Sequence, residues 1–588
     1  MRLAALAAAV LALAPAAHAA TLSTVTTTST VTTASPIPPP GQVGPRPAHL
    51  KQGEVIQRFL TVPKVHDWLE RYPPAPRIQT TASYSDGSWT VQVFYPPAGE
   101  IATGKVFDLT GEVTEAWTGP QVAWKMARGT PGAFGGRKIN SYSIWLAFSA
   151  VFLIGLVDWR RPFSLRTVDL LALLSFSVSL WFFNRGNVFA AMPIVYPGFA
   201  WLVARLLWVG VTDRAPRGRA LWPVWVLAAA TVFLAGFRVG LNTRASNVID
   251  VGYSGVIGAD RIWNGVDPYG NFPVEDSRQP CGPSDADGEI RDRIQSNGIC
   301  ETANPLGDTY GPVSYFAYLP GYLIFGWSHK WDSLPAVHFT SILFDLLAML
   351  GLAFVGRRLG GPRIGATAAF AWAAWPFTQY ASSSNTNDAI MPALLIWGFA
   401  ALTSDSVRGI AVALSGWTKF ASLVVAPLWL GYPNARDPRS AARMLLAFLA
   451  ATIAAFLIVL LHWPPWHGVR VFYDRTVGFQ FGRTSPFSIW DWRQYHARGL
   501  PDLHLLQRVL QVALVGGAIV LGWLPRRRTP LRLAAFTAAL LVGFELVLTH
   551  WFYLYLPWFY PFVVLALLAP VPGRPRDVEP APAPAVAA

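Results

Sequence analysis

Two carboxylates ten residues apart open the chemical question. The stretch "NVIDVGYSGVIGADRIWNGVDPYG", residues 247–270, follows directly on the apolar run "LWPVWVLAAATVFLAGFRVG" and carries Asp250 and Asp260. Asp250, Tyr253, Ile257, Asp260 and Asn264 fall at offsets of 0, 3, 7, 10 and 14, one stripe of a helix at about 100° per residue, with Gly252, Gly255 and Gly258 off that stripe. A helix resting its glycine side on a larger body would turn both acids toward one cleft. There a carboxylate within reach of a hydroxyl can act as a general base. On spacing alone the acids also read as the solvated face of a loop.

Other residues could complete such a site. The stretch "HWPPWHGVRVFYDRTVGFQFGRTSPFSIWDW" (462–492) interleaves Arg470, Arg475 and Arg483 with aromatics. Guanidinium groups suit a phosphate, and aromatic faces suit sugar rings or isoprenoid chains; an interfacial aromatic belt with snorkelling arginines gives the same composition. In "SSSNTNDAIMP", Asp388 stands at a helix start, where it could serve as an N-cap. Lys419 is a lone cation amid apolar sequence, and His550 sits among the aromatics of "LTHWFYLYLPWFYP". Asp345 and Glu545 lie inside apolar runs and read as acids of packing networks. The "DAD" at 285–287 invites a metal reading, but it has no nucleotide-binding fold around it.

The elements that must position these residues are membrane helices. The 588 residues are 53% hydrophobic and 14% charged, with a mean hydropathy of +0.34 and many apolar runs of about 20 residues, the length of a bilayer crossing. Residues 1–19 read as a signal peptide ending in Ala17-His18-Ala19, an uncleaved anchor being the alternative. The net charge of +14 comes with arginine clusters between apolar runs, at 160–166, 214–219, 357–363, 436–443 and 526–528. That is the positive-inside pattern, which makes the charge a matter of topology rather than of nucleic-acid binding.

Parity with that pattern predicts an all-α polytopic protein of about 13 spans. They fall near 141–159, 167–184, 187–211, 220–240, 336–356, 363–381, 387–403, a broken hairpin over 409–430 with Lys419 near its tip, 443–461, 504–524, 531–549 and 552–570. The segment 310–327, with Pro312 and Pro320, is read as an interfacial or re-entrant helix. Outer loops then cover 241–335 and 462–503, and the 571–588 tail is cytoplasmic and disordered. The only two cysteines, Cys281 and Cys300, share the first outer loop, where a disulfide suits an oxidising compartment. The location that follows is the plasma membrane, with the loops and N-terminal region outside.

Residues 20–45 form a Thr/Ser/Pro-rich linker. Residues 46–138 predict a small α+β domain: an amphipathic helix, "GEVIQRFLTVPKVHDWLERYP", then alternating strands "SWTVQVFYPP", "ATGKVFDLTG" and "EVTEAWTG". It resembles PepSY-like extracytoplasmic modules, most in "KVFDLTGEVTEAWTG", and reads as an appendage without catalytic groups. Three accessory helices fill 139–219.

Residues 220–570 resemble the GT-C superfamily of integral-membrane glycosyltransferases. The resemblance rests on ordered features: Asp250 after the first family helix, the "G-x-DPYG" turn at Gly265–Gly270, "YGPVSYFAYLPGYLIFG", a span ending in "GRRLGG", "NTNDAIMP", "WTKFA" and the aromatic-basic outer loop. It is greatest to bacterial polyprenyl-phosphate-mannose-dependent alpha-mannosyltransferases, although "YGP" stands at 310–312 where related enzymes often have Tyr-Pro-Pro. This implies an inverting transfer of a sugar, mannose first, from a polyprenyl-phosphate donor to an envelope glycan or glycolipid on the outer face. It implies Asp250 as base with Asp260 as runner-up, Arg475, Arg483, Lys419 and His550 on the donor phosphate, and Tyr253, Tyr269, Tyr310 and Asp388 in the acceptor or substrate cleft. No cofactor is required, and a divalent metal is left open. A transporter or lipid flippase is the alternative reading, and a non-catalytic anchor for the outer domain a third.

Overall fold

The computed structural model describes residues 47–74, 77–129, 132, 134–270, 293–294, 300–301, 307–329, 334–461 and 464–573. Those from Ala48 onward belong to one compact unit. The expected signal peptide, the linker to Pro45 and the "DAD" lie outside the described residues. So does the expected disulfide, since Cys281 is outside them and Cys300 is described by its backbone alone.

The N-terminal region is a four-stranded antiparallel meander with two helices. The single amphipathic helix read from the sequence is in fact two, α1 (Gln52–Leu60) and α2 (Pro63–Leu69). Pro63 has no N–H to continue the first helix but is suited to begin the second. Strands β1 (Gln79–Ser85), β2 (Ser88–Tyr95), β3 (Gly99–Phe107) and β4 (Val113–Thr118) pair in sequence order. The β1–β2 hairpin turns on Asp86 and Gly87, at φ of 51° and 77°, the positive values an Asp-Gly turn accepts. Alternation along β2 buries Trp89, Val91, Val93 and Tyr95 against Val55, Phe59 and Val65 of the helices.

Asp108, just past β3, staples the entry of this domain to its sheet. It is 2% exposed and accepts from the backbone N–H of His49 (2.8 Å) and Leu50 (3.1 Å) and from the Trp89 indole (2.8 Å). Burial works to raise its pKa; the three hydrogen bonds and nearby His49 outweigh this and hold the carboxyl below its ordinary value. A depressed folded-state pKa contributes stability that is complete above the unfolded value, about 3.9, and is lost as the pH falls through the folded value. Hydrogen exchange at Trp89–Phe107 in the full chain, corrected for intrinsic rates, is therefore expected to lose protection as the pH drops below about 4. Asp108→Asn should weaken protection at pH 7 and remove this contribution to the pH dependence; an unchanged acid profile would contradict the stapling role.

The remainder is helical. In order come α3 (Tyr142–Leu156), α4 (Leu165–Phe183), α5 (Val188–Thr212), α6 (Val224–Ala245), α7 (Asp250–Trp263), α8 (Pro312–Phe316), α9 (Leu319–Phe325), α10 (Pro335–Gly360), α11 (Pro362–Ala374), α12 (Pro376–Ser383), α13 (Ile390–Ala400), α14 (Asp405–Gly416), α15 (Pro438–Leu460), α16 (Pro465–Tyr473), α17 (His504–Trp523) and α18 (Pro530–Leu546). Among the described residues six of these, α4, α5, α6, α10, α15 and α17, are long and apolar enough to cross a membrane. Of the other expected spans, 141–159, 387–403 and 531–549 are the shorter single helices α3, α13 and α18, and the rest are broken into pieces. The run 363–381 breaks at Trp375, which Pro376 forces into an extended conformation (ψ 126°) between α11 and α12. Segment 409–430 is interrupted at Lys419, also extended, between α14 and the 3₁₀ turn Phe420–Val425. The stretch after α18 is a 3₁₀ turn, Tyr553–Trp558, followed by short helical turns to Leu568.

Several charges inside this body are paired or hydrogen-bonded. Arg205 holds Asp169 through two hydrogen bonds, of 2.9 and 3.0 Å, with Trp201 as a further donor. Asp345, read from the sequence as a packing-network acid, accepts from both Arg238 and the Trp372 indole. Glu545, the other such acid, accepts from the Trp551 indole at 3.0 Å.

Candidate functional site

Helix α7 begins at Asp250, where the helix dipole favours a carboxylate, and Val251 N–H donates to its Oδ1 at 2.9 Å. Its glycine side is packed against the body. A Cβ on Gly252 would come within 2.3 Å of the Asn385 carbonyl oxygen, one on Gly255 within 2.4 Å of the Tyr318 ring and one on Gly258 within 2.1 Å of the Tyr315 ring. Only glycine allows so close an approach at these three positions.

The two acids meet different partners. Ten residues of helix separate them by about 15 Å. Asp260 accepts from the Tyr322 hydroxyl at 2.7 Å and from the Asn264 amide, near the end of α7. Asp250 instead acts electrostatically on Lys419, Tyr310 and Tyr555. Tyr253, one turn on from Asp250, is buried and packs edge-on against Trp327 at 5.9 Å.

Lys419 sits in an aromatic box. Its ammonium lies 4.9 Å from the Tyr310 ring centroid, 5.2 Å from Tyr555 and 5.1 Å from Trp558. Asp388, 1% exposed, accepts from Lys419 Nζ at 2.7 Å and from the Trp558 indole at 2.8 Å. It caps no helix, one of the roles the sequence had offered for it, and its two donors make it the group that fixes the position of Lys419. The break after α14 allows this, because an extended Lys419 leaves the helix line and reaches the 383–388 segment.

The sequence marked this segment as "SSSNTNDAIMP" and singled out Asp388 in it, but gave no sign that it connects the elements of the site. Asn385, at φ 51°, donates to the Asn247 carbonyl (2.9 Å) and Ser246 Oγ (2.8 Å), and accepts from Asn242 of α6 (2.9 Å). Asn387 donates to Ser314 of α8 at 2.8 Å. The start of α7 is thereby tied to the loop that bears Asp388. Asn385 adopts the left-handed conformation that Asn tolerates better than most residues.

Arg475 and Arg483 are in different surroundings. Arg475 is paired with the buried carboxylate of Asp308, Nε to Oδ2 at 2.7 Å, and Asp308 also accepts from Gly270 N–H at 2.8 Å. Tyr269 of the same turn donates to the Tyr310 carbonyl at 2.8 Å. Arg475 thus clamps the Asp267–Gly270 turn beside Tyr310, with its charge already met by a carboxylate. Arg483 has no carboxylate partner among the described residues. It lies over Phe479 (5.5 Å) and Trp124 (6.0 Å) and acts electrostatically on Tyr310, Lys419 and His550. His550 lies tilted against Trp124, ring centroids 5.9 Å apart, and meets Ser485 Oγ at 2.9 Å. Burial first, then Arg483 and Lys419, hold its pKa well below the ordinary value, so it brings a neutral imidazole and no charge to a phosphate. Trp124 comes from the N-terminal region and went unmarked in the sequence.

Among the described residues no three His, Cys, Asp or Glu side chains gather as a metal site would. No protein-family profile matches the sequence, and no curated protein matches it. Among solved structures, the chain is similar to the oligosaccharyltransferase of Archaeoglobus fulgidus, crystallised in the apo form, at 13% identity and a TM-score of 0.32. The match covers 58% of this chain and half the length of that one.

Proposed function

We propose that the protein is an integral-membrane glycosyltransferase. It moves a sugar, mannose in the first instance, from a polyprenyl-phosphate donor to a glycan or glycolipid acceptor of the cell envelope, at the outer face. The observation that supports this reading is the convergence of two carboxylates, Asp250 and Asp388, with two cations, Lys419 and Arg483, around Tyr310, Asp388 being the one paired with Lys419. A transfer from a phosphate-linked sugar uses a base for the acceptor hydroxyl and cations for the phosphate. The acceptor hydroxyl gives its proton to Asp250 as its oxygen bonds to the anomeric carbon, and the bond from that carbon to the phosphate oxygen breaks. The departing phosphate gains charge, which Arg483, without a carboxylate partner among the described residues, stabilises first, with Lys419, held in place by Asp388, as the second cation. A single displacement of this kind inverts the anomeric centre. Burial, and then Asp250, hold the Tyr310 phenol well above its ordinary pKa, so it remains a donor at neutral pH.

The test is to incubate the purified chain in lipid nanodiscs with polyprenyl-phosphate mannose or polyprenyl-phosphate arabinose and an envelope extract. The expected result is consumption of the mannose donor, with release of polyprenyl phosphate matching sugar gained by the acceptor. Consumption of neither donor, or movement of intact donor across a liposome bilayer, would overturn the reading.

A further inference from the structure

A second site lies at the other end of α6, about 33 Å along its 22 residues from the Asp250 neighbourhood. The loop between α3 and α4 and the loop between α5 and α6 meet there around a recess of about 550 Å³, lined by Asp158, Arg160, Arg161, Arg217, Gly218 and Arg219. All four arginines are exposed, and among the described residues none of their guanidinium groups has a protein partner. The one carboxylate does not neutralise them. Asp158 is 6% exposed and accepts from the backbone N–H of Arg160 (3.2 Å) and of Arg219 (3.4 Å), so it joins the two loops and leaves the side chains free. Gly218, at φ 98°, lies against a fifth arginine: a Cβ there would meet Arg166 Cδ at 3.3 Å. Arg166 is 2% exposed, and its Nη2 is buried without an acceptor.

The rim identifies the source of the occupant. Trp159 and Trp222, 53% and 40% exposed, both anchor their indole N–H on the Ile154 carbonyl (3.1 and 2.8 Å) and so flank the recess from the two loops. Phe163 is fully exposed beside them, with Leu165 and Trp225 also outward. Exposed amphipathic rings of this kind sit at the headgroup level of a bilayer, where a cluster of unpaired arginines recognises phosphate. We propose that this recess binds the headgroup of an acidic phospholipid, with Arg160, Arg161, Arg217 and Arg219 on the phosphate and the tryptophans against the glycerol and upper acyl region.

Retention of lipid by the purified full chain tests this, independently of the transfer reaction. Protein exchanged into micelles with equal phosphatidylglycerol and phosphatidylcholine is washed and its bound lipid is measured by native mass spectrometry. The expected result is selective retention of phosphatidylglycerol, reduced about tenfold or more by Arg217→Gln with Arg219→Gln, the scale of two arginines near a membrane surface. Arg436→Gln with Arg439→Gln removes the same charge at another exposed cluster and should leave retention unchanged. Equal retention of both lipids, an unaffected Arg217/Arg219 variant that still melts as wild type, or an equal loss in the control variant would overturn the proposal. Inorganic phosphate in the wash provides the remaining arm. Displacement of the lipid only at high phosphate supports a lipid site, whereas equal competition at low phosphate would assign the recess to the free ion.

Discussion

Asp250→Asn is expected to lower the rate of sugar transfer by about 10²–10⁴-fold, the contribution of a general base. Asparagine keeps the size of the side chain and can still accept from Val251 N–H, so α7 should form as before. The loss of a negative charge in the first turn of the helix costs about 0.3–1 kcal/mol, too little to unfold it. The charge change also leaves Lys419 in place, because its ion pair is with Asp388. Donor KM should therefore change little while kcat falls. Asp260→Asn is the internal control: its carboxylate is engaged by Tyr322 and Asn264 at the far end of the helix, and its loss should cost a small fraction of the effect. Single-turnover transfer at saturating donor separates the two variants. Full activity in Asp250→Asn would remove the base from the mechanism, and a deeper loss in Asp260→Asn would move it.

The sequence showed what depends on local periodicity and hid what depends on long-range pairing. The glycine side of α7 was legible, since three glycines at a spacing of three stay on one side of a helix whatever they pack against. The apparent alignment of Asp250 and Asp260 was legible too, but it misled: a shared stripe fixes direction, and ten residues of rise take the second acid to other partners. Asp308 and Arg475 are 167 residues apart and nothing local marks them as a pair, so Arg475 read as a free phosphate ligand. The break at Trp375 was written in the Trp-Pro dipeptide and was missed because a hydropathy window counts proline within an apolar run as continuous. Strand β1 went unmarked for the opposite reason, since "QTTASYS" is an edge strand whose inward face offers only Ala82 and Tyr84 as apolar residues.

Asp345→Ala is expected to be the most destabilising single change, by about 3–5 kcal/mol, the usual cost of breaking a buried ion pair from one side. The physical reason is what remains behind. Arg238 on α6 is 1% exposed, donates Nε to Asp345 Oδ2 at 2.9 Å and has Thr378 and the Ala373 carbonyl as its other partners. With the carboxylate gone its charge stays in the helix body, where neither water nor another acid can reach it, and the Trp372 indole loses its acceptor as well. The pair ties α6 to α10 and, through Thr378, to α12, the elements that lead directly to Asn242 and the Asp388 loop. Stability and geometry of the proposed site should therefore fall together. Replacing both members by apolar residues, Arg238→Met with Asp345→Leu, removes the stranded charge and should recover most of the loss, giving strong non-additivity in a double-mutant cycle. Equilibrium unfolding in mixed micelles, measured for Asp345→Ala and for the cycle of Arg238→Met, Asp345→Leu and the double, checks this. If the double variant is destabilised by the sum of the singles, the cost lies in packing and the ion pair is not what holds α6 in register.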